Sequence, residues 1–369
     1  MKNVLEEIRY LRGNKDFTID RCNQNRHCVL VAENGGKTSY YFSAPLYHCT
    51  TKKLVTPKIW KTSDGYEIRG TNGTVKIEDR SLIFENQDGK VIVEMMNTNI
   101  RANQNLYATL NGAYFRLSQR EIRFIVRIES DKEKSVLFNA KCLAWMKGTF
   151  TPFFSVAAMY AQTHQGELLP ICIEWNQHEK NTVEGRILGT EDTEFLCFEA
   201  NLYEPKLFQD TTVEQKSPDQ NNVYAPIGFV GNTEQLGKQW LYSRPDIFQI
   251  SEESSGLVEQ ARLYIPKFYG NAEDLKLYVP QKRFCSFGTT WNNQVDQMEK
   301  KCSIRENERY LSIDVTNLFS DSKYHFLIAN EGMILKGSSP NHYVAIATAD
   351  CYSHPQILEI QWKNKKTRN

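Results

Sequence analysis

Histidine side chains are the commonest metal ligands in proteins, and in this chain they are widely dispersed. They occupy positions 27, 48, 164, 178, 325, 342 and 354 and form neither an H-E-x-x-H motif nor an H-x-H pair. Zinc sites usually draw their ligands from short spacings of this kind. The sequence therefore predicts no metal site, and no cofactor.

The densest local group of reactive side chains is the run E-W-N-Q-H-E at 174–179, which follows an apolar segment. It contains a carboxylate, an indole and an imidazole within six residues. On an extended strand Glu174 and Asn176 face one side of the sheet and Trp175 faces the other. These groups do not converge, so the run is interpreted as a strand end that leads into a polar turn.

Motifs for nucleophilic catalysis or phosphate binding are absent from the sequence, which contains no G-x-S-x-G, no Walker loop and no G-x-G-x-x-G. The 44 acidic residues would supply a carboxylate pair for glycoside hydrolysis, but sequence distance does not report its geometry. The loop at 217–222 carries only one carboxylate, Asp219, which argues against a tight calcium site. A non-enzymatic protein is favoured, and a polysaccharide-active enzyme stays open as the alternative.

Aromatic residues make up 12% of the chain, including 18 Tyr and 19 Phe. Tyr and Trp combine a flat apolar face with a polar tip, which suits stacking on sugar rings or packing at a protein interface. On segments expected to be loops, the candidate ligand-binding residues are Tyr224, Trp240, Tyr242, Tyr269 and Tyr352. For each of them core packing is the competing interpretation.

Short strands are the expected scaffold for these residues. The segments 66–70, 74–79, 81–86 and 90–95 alternate apolar with polar side chains and several are separated by N-G or D-G, which predicts successive hairpins. Further period-two segments fill most of the chain from 17 to 200. The segment 153–162 suits either a helix or a strand, because it is rich in Ala and Met but also contains Phe, Val and Tyr.

One amphipathic helix is predicted at the start of the chain. Val4, Leu5, Ile8 and Leu11 recur at helical spacing and Gly13 follows them. Two interpretations remain open: a helix that caps a sheet edge, or a docking segment for a partner subunit.

Length and charge limit the class of protein. A chain of 369 residues is long for one domain and suits two. With 45 basic and 44 acidic residues it has a formal charge of +1, so no net field attracts nucleic acid, and no nucleic-acid partner or membrane insertion is expected. Nine cysteines without a C-x-x-C motif, and no secretory signal, predict folding in the cytoplasm; the final location could be a particle or a cell surface.

From residue 208 to 363 an ordered series of segments resembles the DNRLRE-type domain, a jelly-roll family of bacterial surface and carbohydrate-associated proteins. The series consists of D-T-x-V at 210–213, IGFVG at 227–231, WLYSRPDI at 240–247, A-x-L at 261–263, LKLYVP at 275–280, TTWNN at 289–293, SIDVTNLF at 312–319, EGMILKG at 331–337 and HPQILEIQW at 354–362. The resemblance implies a jelly roll and a bacterial, outward-facing role. The sequence departs from the family at Pro245, which would interrupt a central strand, and it lacks the namesake string.

The motif residues of this series are expected to be structural. Trp291 should fill the sandwich core from a strand, and Asn292 and Asn293 should form the turn that follows. Asp314 and Thr316 are expected to cap a short helical turn at 316–320.

These observations predict an all-β protein with a β-sandwich-like N-terminal domain behind a short helix and a C-terminal jelly roll. The expected divisions are a helix at 1–13, an N-terminal domain at 14–203, a jelly roll at 204–364 and a basic tail at 365–369. The expected function is that of a structural or adhesive protein of a bacterial surface or particle that presents a face to a polysaccharide or to a neighbouring or identical subunit. A phage-tail, tailocin or spore-coat component without glycan binding is a further alternative.

Overall fold

The strands and loops of the protein are known from a computed structural model. It describes residues 4–23, 27–33, 36–44, 59–69, 73–78, 80–86, 89–96, 106–108, 112–117, 121–129, 154–171, 174–179, 182–188, 193–200, 207–223, 225–246, 258–286, 288–319, 328, 331–351 and 354–363.

The structure gives bounds for 27 strands, one α-helix and one 3-10 turn. In chain order they are α1 Val4–Leu11, β1 Thr18–Asn23, β2 Cys28–Glu33, β3 Gly36–Phe42, β4 Ile59–Lys61, β5 Tyr66–Arg69, β6 Thr74–Ile77, β7 Ser81–Asn86, β8 Gly89–Met95, β9 Leu106–Ala108, β10 Gly112–Leu117, β11 Glu121–Glu129, β12 Phe154–Gln162, β13 Leu168–Pro170, β14 Glu174–Glu179, β15 Thr182–Leu188, β16 Thr193–Ala200, β17 Phe208–Glu214, β18 Ile227–Thr233, β19 Gly237–Pro245, β20 Val258–Gly270, β21 Lys276–Pro280, β22 Gln297–Lys300, β23 Ile304–Glu306, β24 Tyr310–Asp314, the 3-10 turn Thr316–Leu318, β25 Met333–Lys336, β26 Tyr343–Ala347 and β27 Ile357–Trp362.

The predicted all-β, sandwich-like fold is confirmed. The four segments from 66 to 95 form the antiparallel meander β5 to β8. The ambiguous segment at 153–162 contains a strand, β12, which pairs with β16 and β13. The predicted helix is α1.

The strands form three antiparallel sheet systems, and the largest, of 14 strands, folds into two layers. We call the layer of β1, β2, β3, β27, β24 and β23 with the first part of β20 sheet I. The layer of β26, β18, β19, β17, β25, β21 and β22 with the last part of β20 is sheet II. β20 is 13 residues long and joins both layers, with a bulge between Lys267 and Tyr269 where it passes into sheet II.

A single apolar cluster fills the space between sheets I and II. Leu263 and Leu358 enter it from sheet I, and Leu241, Leu277 and Leu335 enter it from sheet II. Since successive side chains of a strand point to opposite faces, the neighbours of these residues point outward. Each fully buried leucine contributes about 1.5–3 kcal/mol to folding, so this cluster fixes the two layers against each other.

The helix α1 covers the outer face of sheet I. Val4 and Ile8 pack against a cluster that includes Tyr40 of β3 and Tyr264 of β20. The hydroxyl of Tyr310 on β24 donates a hydrogen bond of 2.5 Å to the carboxylate of Glu7. The interpretation of α1 as the cap of a sheet edge is therefore wrong, because its apolar side lies over the central strands.

The strand pairing also crosses the expected division at 203/204. β3, which was assigned to the N-terminal domain, pairs with β27 along its length, from Phe42 opposite Ile357 to Lys37 opposite Trp362. The strands β1, β2 and β3 thus belong to the same sheet as the C-terminal strands. The division fails here because consecutive strands are neighbours only as a tendency, and this pairing gives β27 a second neighbour besides β20.

The other two sheets are an eight-stranded meander, β14-β15-β11-β8-β7-β6-β5-β4, and a five-stranded sheet, β13-β12-β16-β10-β9. One face of the meander is apolar and buried, as at Phe84 and Phe124. The other carries cross-strand ion pairs such as Lys76 with Glu85 at 2.9 Å. Exposed pairs of this kind add little stability, so the apolar face holds the meander together.

Candidate functional site

Three aromatic side chains and one lysine gather on the outer face of sheet II. They are Trp240 of β19, Tyr278 of β21, Lys336 of β25 and Trp291 of the loop between β21 and β22. We call these four side chains the aromatic surface. The strand register places Trp240 opposite Lys336. All four side chains are partly buried and retain an exposed part, so they are open to a ligand.

The rings and the ammonium group are in direct contact. The Trp240 and Trp291 ring centroids are 4.5 Å apart with an interplanar angle of 46°. The Nζ of Lys336 lies 3.4 Å from the centroid of the Trp240 ring and 4.5 Å from that of Tyr278. A cation held over ring faces at such distances is attracted by their quadrupoles.

A buried apolar group on the same face of sheet II lies beside the aromatic surface. Val213, Tyr242, Phe284 and Ile334 are buried and form one cluster with the partly buried rings. Tyr242 and Phe284 meet edge to face, with centroids 5.4 Å apart. Side chains that pack against such neighbours on adjacent strands move little, so the rings are presented in a fixed arrangement.

Trp291 does not lie on a strand; the loop between β21 and β22 carries it over sheet II. The amide of Asn221 donates two hydrogen bonds of 2.7 Å to the carbonyls of Ser286 and Thr289. The amide of Asn292 donates to Asp219 Oδ1 at 2.8 Å. These bonds tie the loop to the segment after β17 and thereby place Trp291 beside Trp240.

The charges around the surface are unevenly paired. Lys276 of β21 lies directly opposite Lys336. Glu299 of β22 accepts a hydrogen bond of 3.3 Å from the Tyr278 hydroxyl and lies 3.6 Å from the Nζ of Lys276. Burial of the ammonium group lowers the pKa of Lys336 to about 8, whereas burial and the nearby Glu299 raise the pKa of Tyr278.

Of the three predicted ligand-binding residues that the structure describes, Trp240 lies on this surface and the other two do not. Tyr242 is wrong as a surface candidate: it lies on β19 and is fully buried beneath Phe284. Tyr269 lies on another part of the molecule, at the end of β20. Tyr224 and Tyr352 lie outside the described residues.

Tyr269 belongs to a group of side chains that joins sheet II to the turn between β12 and β13. Its ring centroid is 5.9 Å from that of Tyr343. The Tyr343 hydroxyl donates to Glu167 Oε1 at 3.1 Å and to the carbonyl of Leu168 at 3.0 Å. Tyr269 therefore lies in an intramolecular contact.

The expectation that Trp291 fills the sandwich core from a strand is wrong. Its indole packs on the outer face of sheet II, because the loop that carries it folds back over that face. Asn292 and Asn293 form the turn that follows, as predicted. The amide of Asn293 donates to the carbonyl of Gly288 at 2.9 Å.

Asp314 and Thr316 are structural and lie on the other layer. The Asp314 carboxylate accepts hydrogen bonds from the Thr316 amide at 3.0 Å and from the Thr316 hydroxyl at 2.6 Å. The Thr316 hydroxyl also accepts the amide of Ala261 at 3.0 Å. The N-cap of the 3-10 turn is Val315, which makes no side-chain capping bond, so the expected cap is wrong. Asp314 instead holds Thr316, the first residue of the turn, and Thr316 ties the turn to β20.

Sequence reasoning missed Tyr278 and Lys336. Each lies in a segment with period-two alternation, LKLYVP and MILKG, that marks the side chain as outward-facing. That signal shows which face a residue takes. It does not show that β21, β25 and β19 are neighbours, which follows from the strand order.

Among the described residues, the side chains considered for catalysis do not lie together. No cluster of three or more His, Cys, Asp or Glu side chains there has the geometry of a metal site. Glu174 is exposed on β14 and lies 3.7 Å from Arg186. Burial raises the pKa of Glu214 to about 7 although its carboxylate accepts a hydrogen bond from Asn222; that bond gives it a structural partner.

Sequence comparison finds no matching protein-family model and no matching curated protein. No helix among the described residues is long and apolar enough to cross a bilayer. The assignment of function therefore depends on the geometry of the aromatic surface.

Proposed function

We propose that the chain is a non-catalytic binding protein, with a structural or adhesive role at a bacterial surface or particle, that holds a glycan on its aromatic surface. One observation carries the proposal: Trp240, Trp291 and Tyr278 are grouped on the outside of a rigid sheet and remain partly exposed. The C–H faces of a sugar ring stack on such rings. The sequence resemblance to carbohydrate-associated jelly rolls supports the same function.

The rigidity of the site supports binding rather than turnover. The rings are fixed by cross-strand neighbours and by the hydrogen bonds of Asn221 and Asn292. A preorganised surface loses little conformational entropy when a ligand binds. Such a surface is suited to holding a polysaccharide, whose repeating units offer it many binding positions.

The proposal is tested by glycan-array binding of the full chain and of two variants, Trp240→Ala and Trp291→Ala. Loss of one stacking ring should weaken binding by about tenfold, which corresponds to about 1.4 kcal/mol. Trp60→Ala is the matched control, since Trp60 is 46% exposed on β4, in a different sheet. Absence of binding to any glycan, or an equal loss in the control, would refute the proposal.

A second candidate function is assembly with further copies of the chain. Ile19 on β1 and Met298 on β22 are 39% and 54% exposed, and these strands lie at the two ends of the strand order of the large sheet system. Exposed apolar residues on edge strands favour contact with another subunit. Light scattering should then show an oligomer that Met298→Lys and Ile19→Lys dissociate; a monomer at all concentrations would reject this function.

A further inference from the structure

The positive charge of Lys336 is an unusual feature of the aromatic surface. Its Nζ is in contact with the rings of Trp240 and Tyr278, and within the described part of the chain no carboxylate forms an ion pair with it. Ring faces compensate a cation only partly. Lys336 therefore carries a charge that a ligand could neutralise.

The neighbouring charges increase this imbalance. Lys276 lies directly opposite Lys336 on the same face, and like charges in this position destabilise a sheet. The facing carboxylate, Glu299, is engaged by Lys276 and by the Tyr278 hydroxyl. Lys276 is thus paired with the facing carboxylate while Lys336 is not, and the face keeps an excess of positive charge.

From this arrangement we infer that the aromatic surface selects glycans that carry an anionic group, a carboxylate or a sulfate, and that Lys336 determines this specificity. The inference rests on the proposed function, since it assigns the ligand class of the same surface. The sugar ring would stack on the exposed parts of Trp291 and Tyr278. Its anionic substituent would pair with the Lys336 ammonium, in a partly buried position where such a pair is screened less than in bulk water.

Proton uptake on binding is a consequence of this arrangement. Burial lowers the pKa of Lys336 to about 8, and a bound anion would raise that pKa because it stabilises the ammonium form. The titratable groups on the face around Lys336 are Lys276 and Tyr278 from β21, Glu299 from β22 and Lys238 from β19, which is two residues before Trp240. Trp240 and Val213, which lie across from Lys336 on β19 and β17, do not titrate. Affinity for an anionic glycan should fall by up to about tenfold for each pH unit above 8.

The test is calorimetric titration of the full chain with three oligosaccharides of equal length: one neutral, one carboxylated and one sulfated. We expect the charged ligands to bind about tenfold more tightly than the neutral one. At pH 8 the heat should differ between buffers of different ionisation enthalpy in the sense of proton uptake. The carboxylated and sulfated arms distinguish the two sources of the anionic group.

Variants of Lys336 identify the residue responsible. Lys336→Met should lose the preference, so that the charged and neutral ligands bind this variant with equal affinity. Lys336→Arg, which stays charged at all pH values used, should keep the preference without proton uptake. Lys61→Met is the control, because Lys61 is exposed on β4, in a different sheet.

The outcomes separate the two proposals. Equal affinity for neutral and charged ligands, or an unchanged preference in Lys336→Met, would overturn the inference and leave glycan binding intact. Failure of all three ligands to bind would contradict the proposed function and the inference with it. If Lys336→Met does not fold, the buffer dependence of the wild-type protein and of Lys336→Arg decides the question.

Discussion

At the scale of single residues, the contrast between Trp240 and Tyr242 shows how far the exposure of a side chain can be predicted from the sequence. The two residues are two apart on β19 and therefore point to the same face. Trp240 remains partly exposed, whereas Tyr242 is fully buried because Phe284, in the loop after β21, packs on it. Alternation predicts the face of a side chain, but it does not predict which loop covers that face.

Glu214 gives a prediction at the same scale. Burial raises its pKa from 4.5 to about 7, against the opposing effect of the Asn222 hydrogen bond. The folded state thus binds the proton more tightly than the unfolded state, and this stabilisation is fully present below pH 4.5 and lost as the pH rises through 7. Relative to wild type, Glu214→Gln should gain up to about 3 kcal/mol in free energy of unfolding between pH 4.5 and 8.

Urea denaturation at pH 4.5 and pH 8 measures this difference. Glu273→Gln is the control, because Glu273 is exposed in the turn before β21 and its replacement should leave the pH dependence close to that of wild type. A stability difference between wild type and Glu214→Gln that is the same at both pH values would contradict the buried position of this carboxyl group.

At the scale of elements, local patterns predicted the hairpins and the helix. The meander β5 to β8 follows from alternation and short turns, both of which lie within a few residues. The path of the loop after β21 was not predictable, because Asn221 holds it from 65 and 68 residues away in the chain. The position of Trp291 depends on such a long-range contact.

The seating of α1 on sheet I yields an element-scale prediction. Ile8 is fully buried between the helix and the sheet. Ile8→Ala should lower the free energy of unfolding by about 2–4 kcal/mol, since it removes buried methyl groups and leaves a cavity. Arg9→Ala, at an exposed position of the same helix, should change the free energy of unfolding by less than about 0.5 kcal/mol. Chemical denaturation measures both variants. Equal effects of the two substitutions would mean that α1 does not pack on sheet I.

At the scale of the whole molecule, the pairing of β3 with β27 joins the two ends of the described chain. The order of strands along the sequence predicted a division near residue 203, but β3 is hydrogen-bonded to the last strand, β27, and β2 and β1 follow β3 in the same sheet. Sheet I is completed by the pairing of β27 with β3, which lies more than 300 residues earlier in the chain. The large sheet system therefore depends on both ends of the chain.

This organisation predicts the behaviour of a fragment. Residues 204–364 alone lack β1 to β3 and α1, so the edge of β27 and the apolar face under the helix are uncovered. The fragment should be aggregation-prone or unfolded by circular dichroism and size-exclusion chromatography. A fragment of 204–364 joined by a flexible linker to residues 1–44 should recover a folded monomer; cooperative unfolding of the fragment alone at wild-type stability would contradict the assigned pairing.

The central claim, that the aromatic surface holds a glycan, is tested most directly by the indole N–H signals of the six tryptophans in a two-dimensional NMR titration. Addition of a binding glycan should shift the signals of Trp240 and Trp291 and leave those of Trp60 and Trp362 unchanged, since Trp60 lies on another sheet and the Trp362 indole donates to Ser39 at 2.8 Å. Assignment follows from single Trp→Phe variants. Shifts confined to tryptophans other than Trp240 and Trp291 would place the binding site elsewhere and contradict the claim.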